Sequence, residues 1–449
     1  MHSRRSLAAA FLQLAALSQV AGVGIWTTHG PAPVRPVAVD PTSPRVVYAG
    51  TPDRVVRSDD GGQSWSISET VIGIGVGIQS LDVDPGNPQV LYVGKSSECP
   101  PDLAGAVFKS LDAGRTWVEA QPGIRCLSVQ TIVADPLQPG TIFAATGPTL
   151  RNTSVGIYRS DDGGANWVRT GSPTCPVVFD LSVGSDRFLA ATGGCGVWES
   201  VDRGITWTRV NGGLPSGAAQ AVQTVARVPR GPLEWVIGTL AGIYRTADGT
   251  NWTETEVRAP TTDLVADPAH PGRLFAATFN QGVLRSDDGG RRWTAFNEGL
   301  TVAEIRSLDL DPSGRFLYAG TGQGVFQYEF PACDPARERN CLALHGGRFR
   351  VSLAASDART QRTAEGHGAQ QTEEFGWYSL PLFTGNEGNP EVFVKILDGR
   401  SVTGHFWVFH SGLTDLGYLL SVTDTETGET RNYRKEAGSA CGGFETAHF

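Results

Sequence analysis

The sequence predicts an all-β protein, on three observations. Glycine is abundant, with 56 residues in 449, and charged residues make up only 18% of the chain. There are 11 tryptophans and a single methionine, a composition that suits sheets joined by tight turns better than helices. Short strand-like runs such as Gly156-Ile-Tyr-Arg-Ser160 recur between turn residues.

Residues 1–22 have the pattern of a signal peptide. Arg4 and Arg5 precede the stretch from Leu7 to Leu17, which is apolar except for Gln13 and too short to cross a bilayer. Small residues follow it and offer a cleavage site. We therefore expect a secreted or periplasmic protein, exported by the general or the twin-arginine route. The alternative is a buried N-terminal helix. No other segment is long and apolar enough for a membrane helix.

One pattern, S-x-D-x-G-x-T-W, occurs six times, and the copy from Thr246 to Trp252 is one residue short. Glycine permits the backbone angles of a tight turn, Ser and Asp bond nearby backbone, and Trp opens the next strand. We interpret the six copies as hairpin fasteners rather than as catalytic or Ca²⁺-binding sites. Their defining residues are Ser58, Asp60, Gly62, Trp65; Ser110, Asp112, Gly114, Trp117; Ser160, Asp162, Gly164, Trp167; Ser200, Asp202, Gly204, Trp207; Thr246, Asp248, Trp252; and Ser286, Asp288, Gly290, Trp293.

An Asp-Pro turn, as at Asp40-Pro41 and Asp84-Pro85, precedes most copies, so that each repeat has four strands. The repeat length is close to the ~40–45 residues of one propeller blade. Seven such units fit between residues 37 and 328, but the last lacks a fourth strand. The strand at Trp26 supplies it, which removes the exposed sheet edges. We predict a seven-bladed β-propeller over residues 23–330, closed by its N-terminal strand.

The S-x-D-x-G-x-T-W pattern resembles the Asp-box (BNR) repeat of sialidase-like and sortilin-like propellers. Resemblance to sialidases implies an arginine triad, a Tyr nucleophile and a Phe/Tyr-Arg-Ile-Pro motif. The nearest match to that motif in this chain is Val34-Arg35-Pro36-Val37, which departs from it. Together with the Asp-Pro turns, the boxes look more like those of xyloglucanases. These glycoside hydrolases use two tandem propellers, and this chain has one. The repeats also resemble the seven-bladed photosystem II assembly propeller, a non-enzymatic binder.

Ligands of such propellers usually lie on the face opposite the boxes. Asp53, Glu98 and Asp102 are the acidic residues expected there, and we prefer solvated loop charge over catalysis for them. The net charge of −9 argues against nucleic acid and anionic membranes as partners. We expect a monomeric, non-enzymatic binding or scaffold protein for a protein or glycan ligand, without cofactor or metal. The alternatives are a glycoside hydrolase and an assembly factor.

The seven cysteines contain no C-x-x-C pair, and an exported protein favours disulfides. The loops predicted to share the ligand face bring four of them together. We expect two bridges there and a short third one at the end of the propeller, with Cys441 left over. The expected pairs are Cys99–Cys126, Cys175–Cys195 and Cys333–Cys341. The alternative is that all seven are reduced and buried.

Residues 331–341 break the repeat and form a predicted linker. Beyond it, residues 342–449 contain strand-like runs such as Glu391-Val-Phe-Val-Lys-Ile-Leu397, which predict a small β-sandwich. The runs Gly347-Arg-Phe-Arg-Val351 and Gly404-His-Phe-Trp-Val-Phe409 resemble a C-terminal module of many secreted bacterial proteins, which has no assigned activity.

Overall fold

The predicted all-β class is confirmed by nine antiparallel sheets, seven with four strands and two with five. The computed structural model describes residues 26–72, 77–96, 106–120, 124, 127–149, 153, 155–171, 173, 175–228, 234–330, 339–345, 348–357, 359–360, 362–424, 429–438 and 443–445. The predicted signal peptide therefore lies outside the described residues, as does most of the predicted linker.

Sheets 1 to 7 follow one another along the chain, and sheet 7 also contains the first strand, β1 (Trp26–His29). Sheet 1 contains β2 (Val37–Asp40), β3 (Ser43–Gly50), β4 (Val55–Ser58) and β5 (Ser66–Ile67). Sheet 2 contains β6 (Ile78–Val83), β7 (Leu91–Lys95), β8 (Val107–Ser110) and β9 (Val118–Glu119). Sheet 3 contains β10 (Ser128–Ala134), β11 (Ile142–Gly147), β12 (Ile157–Ser160) and β13 (Val168–Arg169).

Sheet 4 contains β14 (Val178–Ser182), β15 (Phe188–Thr192), β16 (Gly196–Ser200) and β17 (Thr208–Arg209). After the 3-10 turn Ala218–Gln220, sheet 5 contains β18 (Val222–Arg227), β19 (Trp235–Thr239), β20 (Gly242–Thr246) and β21 (Thr253–Glu254). Sheet 6 contains β22 (Thr261–Ala266), β23 (Leu274–Thr278), β24 (Val283–Ser286) and β25 (Thr294–Ala295). Sheet 7 contains β26 (Ile305–Leu310), β27 (Phe316–Thr321), β28 (Gly324–Glu329) and β1.

The seven sheets pack side by side in the order of the chain. The first strand of each sheet, its inner strand, contacts the inner strand of the next, and β26 of sheet 7 contacts β2 of sheet 1. Buried apolar side chains fill the space between neighbouring sheets. Between sheets 7 and 1, for example, Val39 and Val47 pack with Phe316 and Tyr318. The fold is that of a β-propeller, because every sheet has a neighbour on both sides.

The strand β1 is the outer strand of sheet 7. It runs antiparallel to β28, with Trp26 opposite Tyr328 and Thr28 opposite Phe326. The Trp26 indole donates from Nε1 to the carbonyl oxygen of Phe296 at 2.8 Å, and its backbone N–H donates to Glu298 at 2.8 Å. These bonds join the N-terminal strand to the end of sheet 6. We propose that this strand holds the ring closed.

The box turns are held by a repeated set of hydrogen bonds, shown here in sheet 2. Ser110 Oγ donates to Asp112 Oδ1 at 2.8 Å and accepts the N–H of Gly114, whose φ is +82°, at 2.9 Å. Asp112 in turn accepts the N–H of Thr116 at 2.8 Å and its hydroxyl at 2.6 Å. The Trp117 indole donates to the carbonyl oxygen of Gly114 at 3.0 Å. All the bonding groups of Asp112 thus lie within its own turn.

The shortened box of sheet 5 differs in how its tryptophan is bound. The Trp252 indole donates to the carbonyl oxygen of Val210 in the preceding sheet, at 2.7 Å. Trp26, which has no box at all, also bonds to the preceding sheet. A complete box therefore offers the indole an acceptor within its own turn. Where the box is incomplete or missing, the indole donates to a carbonyl oxygen of the preceding sheet.

Substitution of Asp112 by alanine is expected to lower the free energy of unfolding by about 1–3 kcal/mol, because the N–H and hydroxyl of Thr116 lose their acceptor. Urea unfolding of the full chain measures this effect. Leu111→Ala is the matched control, since Leu111 lies in the same turn with 64% of its surface exposed. It should change stability by less than about 0.5 kcal/mol. Equal effects of the two substitutions would refute the fastener interpretation.

The C-terminal part of the chain forms a β-sandwich of two five-stranded sheets. Sheet 8 contains β29 (Leu342–Leu344), β30 (Phe349–Asp357), β31 (Arg362–Glu365), β36 (Gly417–Asp424) and β37 (Thr430–Lys435). Sheet 9 contains β32 (His367–Gln370), β33 (Phe375–Ser379), β34 (Val392–Asp398), β35 (Phe406–Gly412) and β38 (Gly443–Glu445). Two one-turn helices, α1 (Pro381–Thr384) and α2 (Arg400–Thr403), flank β34. A single apolar cluster that includes Phe349, Tyr378 and Phe406 fills the space between the sheets.

Candidate ligand-binding site

A cavity of about 490 Å³ lies at the centre of the propeller, and all seven sheets line it. Each sheet contributes the first residues of its inner strand, or those just before it. Because the strands of a sheet are antiparallel, these residues lie at the end away from the box turns. The first layer is formed by Arg35, Gln79, Gln130, Phe179, Gln223, Thr262 and Arg306. The cavity thus opens on the face predicted to bind ligands.

Two arginines lie close together in the cavity wall. Arg35 donates to the side-chain oxygen of Gln79, and Arg306 donates from Nε to Glu304 Oε1 at 3.1 Å. Packing around the Arg35 guanidinium and the nearby charge of Arg306 lower the pKa of Arg35, which stays protonated. Two like charges that interact in this way repel each other, and a bound anion would relieve the repulsion. The pair is therefore a candidate site for a negatively charged group.

Two phenylalanines and several amides complete the wall. Phe279 lines the cavity with 56% of its surface exposed, and Phe179 also lines it. Gln130 and Gln223 turn their side-chain amides toward their own strands, at Ser128 Oγ and the carbonyl oxygen of Ala221. A wall of aromatic rings, amides and guanidinium groups suits a ligand with both apolar and polar parts.

Four aspartates on inner strands each join their own sheet to the next one. Asp263 Oδ1 accepts the N–H of Leu264 at 2.8 Å, and its Oδ2 accepts the N–H of Leu308 in sheet 7 at 2.8 Å. Asp180 makes the same kind of bond to Val225 of sheet 5 at 2.9 Å. Asp82 bonds to Ala134 of sheet 3, and Asp309 of sheet 7 bonds to Val39 of sheet 1, both at 2.7 Å.

Enclosure of these carboxyls changes their acidity. Desolvation raises the pKa of Asp82, Asp263 and Asp309 to about 7, and it also raises that of Asp180. The N–H groups that they accept oppose the shift. Asp180 and Asp263 line the cavity. Burial thus weakens the acidity of these two carboxyls, and the other charged side chains of the wall are Arg35, Arg306 and Glu304.

Asp53 is the one weak catalytic candidate that lies within the described residues, and it does not line this cavity. The Asp53 carboxylate lies in the turn between β3 and β4, where it accepts from Thr51 Oγ1 at 3.2 Å and pairs with Arg54 at 3.5 Å. It is not among the residues that line the cavity. Glu98 and Asp102 lie outside the described residues. A local ion pair accounts for Asp53 without a ligand.

The predicted disulfides are only partly within the described residues. Cys175 and Cys195 lie with their sulfur atoms at bonding distance and their Cα atoms 6.1 Å apart. Cys99, Cys126, Cys333 and Cys441 lie outside the described residues. Cys341 belongs to the described part of the chain, but the predicted pair with Cys333 does not lie fully within it.

Within the described ranges, no cluster of three or more His, Cys, Asp or Glu residues has a geometry that could hold a metal ion. In the same part of the chain, none of the helices has the length and apolar character needed to cross a bilayer.

No family model matches the chain. It is 23% identical over 350 residues to a xyloglucanase of Paenibacillus sp., a match that covers 67% of this chain and 29% of the relative. It is 26% identical over 322 residues to the xyloglucanase Xgh74A of Acetivibrio thermocellus, covering 62% and 34%. It is 25% identical over 276 residues to the photosystem II assembly lipoprotein Ycf48 of Synechococcus sp., covering 58% and 74%. The matches thus span about a third of the length of these xyloglucanases.

Solved structures give the same two kinds of neighbour. A structure of YCF48 bound to D1 peptide superposes with a TM-score of 0.52 at 16% identity, covering 68% of this chain and 96% of that one. The GH74 xyloglucanase of Xanthomonas campestris gives a TM-score of 0.54 at 16% identity, covering 91% and 81%. At these identities the likeness concerns the fold. The chain therefore has the same kind of β-propeller as Ycf48 and the xyloglucanases.

Proposed function

We propose that the protein is a non-enzymatic binding protein that recognises an acidic peptide segment of a partner protein in the central cavity. The observation that carries this proposal is the approach of Arg35 and Arg306 to each other in the cavity wall. Guanidinium groups bind carboxylates with two parallel hydrogen bonds, and such bonds are strongest in an enclosed site. The similarity in fold to YCF48, which has been solved with a bound peptide, supports a peptide ligand.

The other residues of the wall fit such a ligand. The exposed ring of Phe279 offers an apolar contact for a side chain next to the carboxylate. Glu304 neutralises part of the Arg306 charge, so that a single carboxylate of the ligand is enough to balance the charge of Arg35 and Arg306. The amides of Gln130 and Gln223 can bond to peptide groups of the ligand. An assembly or scaffold role would use the same contacts.

The double substitution Arg35→Ala with Arg306→Ala tests this proposal. Fluorescent peptides rich in Asp and Glu, with free C-terminal carboxylates, are titrated with the full chain, and binding is measured by anisotropy. We expect the double variant to bind at least about tenfold more weakly, since charge-assisted bonds contribute about 1.5–3 kcal/mol. Arg292→Ala, on the box face, is the control and should bind as the wild type does. Binding that is equal in all three proteins, or absent in the wild type, would refute the proposal.

Glycoside hydrolysis is the second candidate, because the xyloglucanase relatives are hydrolases and Asp180 and Asp263 line the cavity beside Phe179. A glycosidase needs two carboxyl groups, one of them a proton donor with a raised pKa. However, both oxygens of Asp263 accept backbone N–H groups, which gives this carboxyl a structural role. Incubation with xyloglucan distinguishes the two functions. The binding proposal predicts no new reducing ends, whereas their release by the wild-type protein would establish the hydrolase.

We further propose that the protein is secreted or periplasmic and monomeric. The placement of Cys175 and Cys195 supports export, since a disulfide persists in an oxidising compartment. Alkylation of the unfolded protein without reductant, followed by mass spectrometry, tests it. Protein isolated from its own cells should leave both cysteines unmodified. Alkylation of both would contradict export to such a compartment.

A further inference from the structure

The C-terminal sandwich contains a second recess, of about 180 Å³, on the outer surface of sheet 9. Trp377 of β33 and Ala369 of β32 lie opposite each other in the sheet and both line it. Its other walls include Arg339, His367 and Glu387. The recess is smaller than the ~300–1,000 Å³ of sites that enclose a drug-sized ligand. It would therefore hold one ring of a longer molecule.

The polar side of the recess is a connected set of charged groups. Arg339 donates from Nη1 to Glu387 Oε1 at 3.0 Å, and His367 Nδ1 lies 3.7 Å from the same oxygen. Arg339 and Glu387 are each 67% exposed, so their remaining donors and acceptors face solvent. Together these groups offer hydrogen-bond donors and acceptors a few ångströms apart with little net charge. Such a set favours hydroxyl groups over a charged ligand.

The apolar side of the recess continues across the sheet. Residues of β33 to β35 alternate between the core and the outer surface, and the outer positions next to Trp377 are aromatic. Phe393 is the direct neighbour of Trp377, and Phe375 lies 6.1 Å from Phe393 with the two rings within 8° of parallel. Strands are about 4.8 Å apart, so these rings form a continuous half-exposed strip.

We propose that this strip and recess bind a neutral polysaccharide, with one sugar ring against Trp377 and its hydroxyls on Arg339, His367 and Glu387. A pyranose has an apolar face of C–H groups and an edge of hydroxyls, which match an aromatic ring beside hydrogen-bonding side chains. The strip extends over neighbouring strands, so it suits a chain of sugars rather than a single one.

This site lies in the sandwich and is independent of the function proposed for the propeller. Its test uses the full chain in affinity gel electrophoresis with xyloglucan, mixed-linkage β-glucan, galactomannan and N-acetylglucosamine oligomers coupled to the gel matrix. We expect at least one polymer to retard the wild type. Trp377→Ala should weaken this binding about tenfold or more, as for an aromatic residue at the centre of a contact.

Three further variants make the result specific. Trp407→Ala is the matched control, because Trp407 lies on the same surface beside Leu397, and its indole is bound by Thr403 at 2.8 Å. It should be retarded as the wild type is. Glu387→Gln keeps the size of the side chain but changes its bonding, so it should weaken binding without altering the melting temperature. The Arg35→Ala, Arg306→Ala variant should keep full polysaccharide binding. Failure of every polymer to bind, or unchanged binding by Trp377→Ala, would overturn the proposal.

Discussion

Replacement of Trp26 by alanine is expected to lower the free energy of unfolding of the propeller by about 3–5 kcal/mol. Only 2% of the Trp26 surface is exposed, and its ring packs against Phe296 at 6.2 Å and Tyr328 at 5.6 Å between centroids. The substitution also removes the indole bond to Phe296. The loss should be large because β1 has four residues, and Trp26 carries its main apolar contact. Chemical denaturation of the full chain measures the effect.

Trp117→Ala is the matched control for this substitution. Trp117 is also buried, at 5% exposure, but it lies next to β9, in a sheet whose four strands are consecutive in the chain. Both variants should lose a similar amount of stability. Only Trp26→Ala should expose the N-terminal strand to protease under native conditions, since no short loop connects β1 to the other strands of sheet 7. An unchanged stability of Trp26→Ala would contradict closure of the ring by this strand.

Raising the pH from about 4 to about 7 is expected to lower the stability contributed by the inner-strand carboxyls. Enclosure raises the pKa of Asp82, Asp263 and Asp309 from 3.8 to about 7. Between these values the folded protein binds more protons than the unfolded chain, so its stability falls as the pH rises. The three groups act in the same direction, so their contributions to this fall in stability add.

The box aspartates act in the opposite sense at lower pH. Hydrogen bonds from Asn166 and Thr206 lower the pKa of Asp162 and Asp202 to about 2. Their contribution is present above about pH 4 and is lost as the pH falls toward 2. The melting temperature should therefore be highest at a mildly acidic pH and lower at both pH 8 and pH 2.5.

Asp309→Asn separates the inner-strand carboxyls from other titrating groups. It removes one proton-binding site, so the fall in melting temperature between pH 5 and pH 8 should be smaller than in the wild type. The variant should also be less stable at pH 5, because one amide oxygen cannot accept from both Val39 and Leu310. A wild-type melting temperature that rises from pH 5 to pH 8 would contradict the raised pKa values.

The architecture could be predicted because each sheet has its own local signals. The boxes and Asp-Pro turns mark the two hairpins that lie on one face, and the spacing of Trp65 to Trp293 gives the length of a unit. Trp26 resembles a box tryptophan that has no box before it, and the last predicted unit lacks its outer strand. These two signs together predict that the Trp26 strand belongs to sheet 7.

The candidate site was harder to predict, since its residues come together only when the ring forms. Arg35 and Arg306 lie at opposite ends of the propeller sequence, and the only motif that includes Arg35 is Val34-Arg35-Pro36-Val37, which departs from the sialidase pattern. Asp82 and Asp309 each lie two residues before the aspartate of an Asp-Pro turn. The missed signal is their alternation with Leu and Val, which places a carboxyl on the inner surface of the strand.

The hydrogen bonds between neighbouring sheets also could not be predicted from the sequence. Basic side chains on the third strands of sheets 1 to 3 donate to the box turn of the next sheet. Arg57 reaches Ala113 at 3.1 Å, Lys109 reaches Gly163 at 2.9 Å, and Arg159 reaches Arg203 at 3.3 Å. These acceptors are backbone carbonyl groups, which carry no side-chain signature. Only the packing of neighbouring sheets identifies them.

The central claim is a ring of seven sheets in which the first strand of the chain completes the seventh sheet. Hydrogen–deuterium exchange of that strand tests this claim most directly. Amides of residues 26–29 should exchange as slowly as those of β28, with which they share a sheet. Trp26→Ala should speed exchange in both strands together. Exchange of residues 26–29 within seconds, while β28 stays protected, would show that the first strand lies outside the ring.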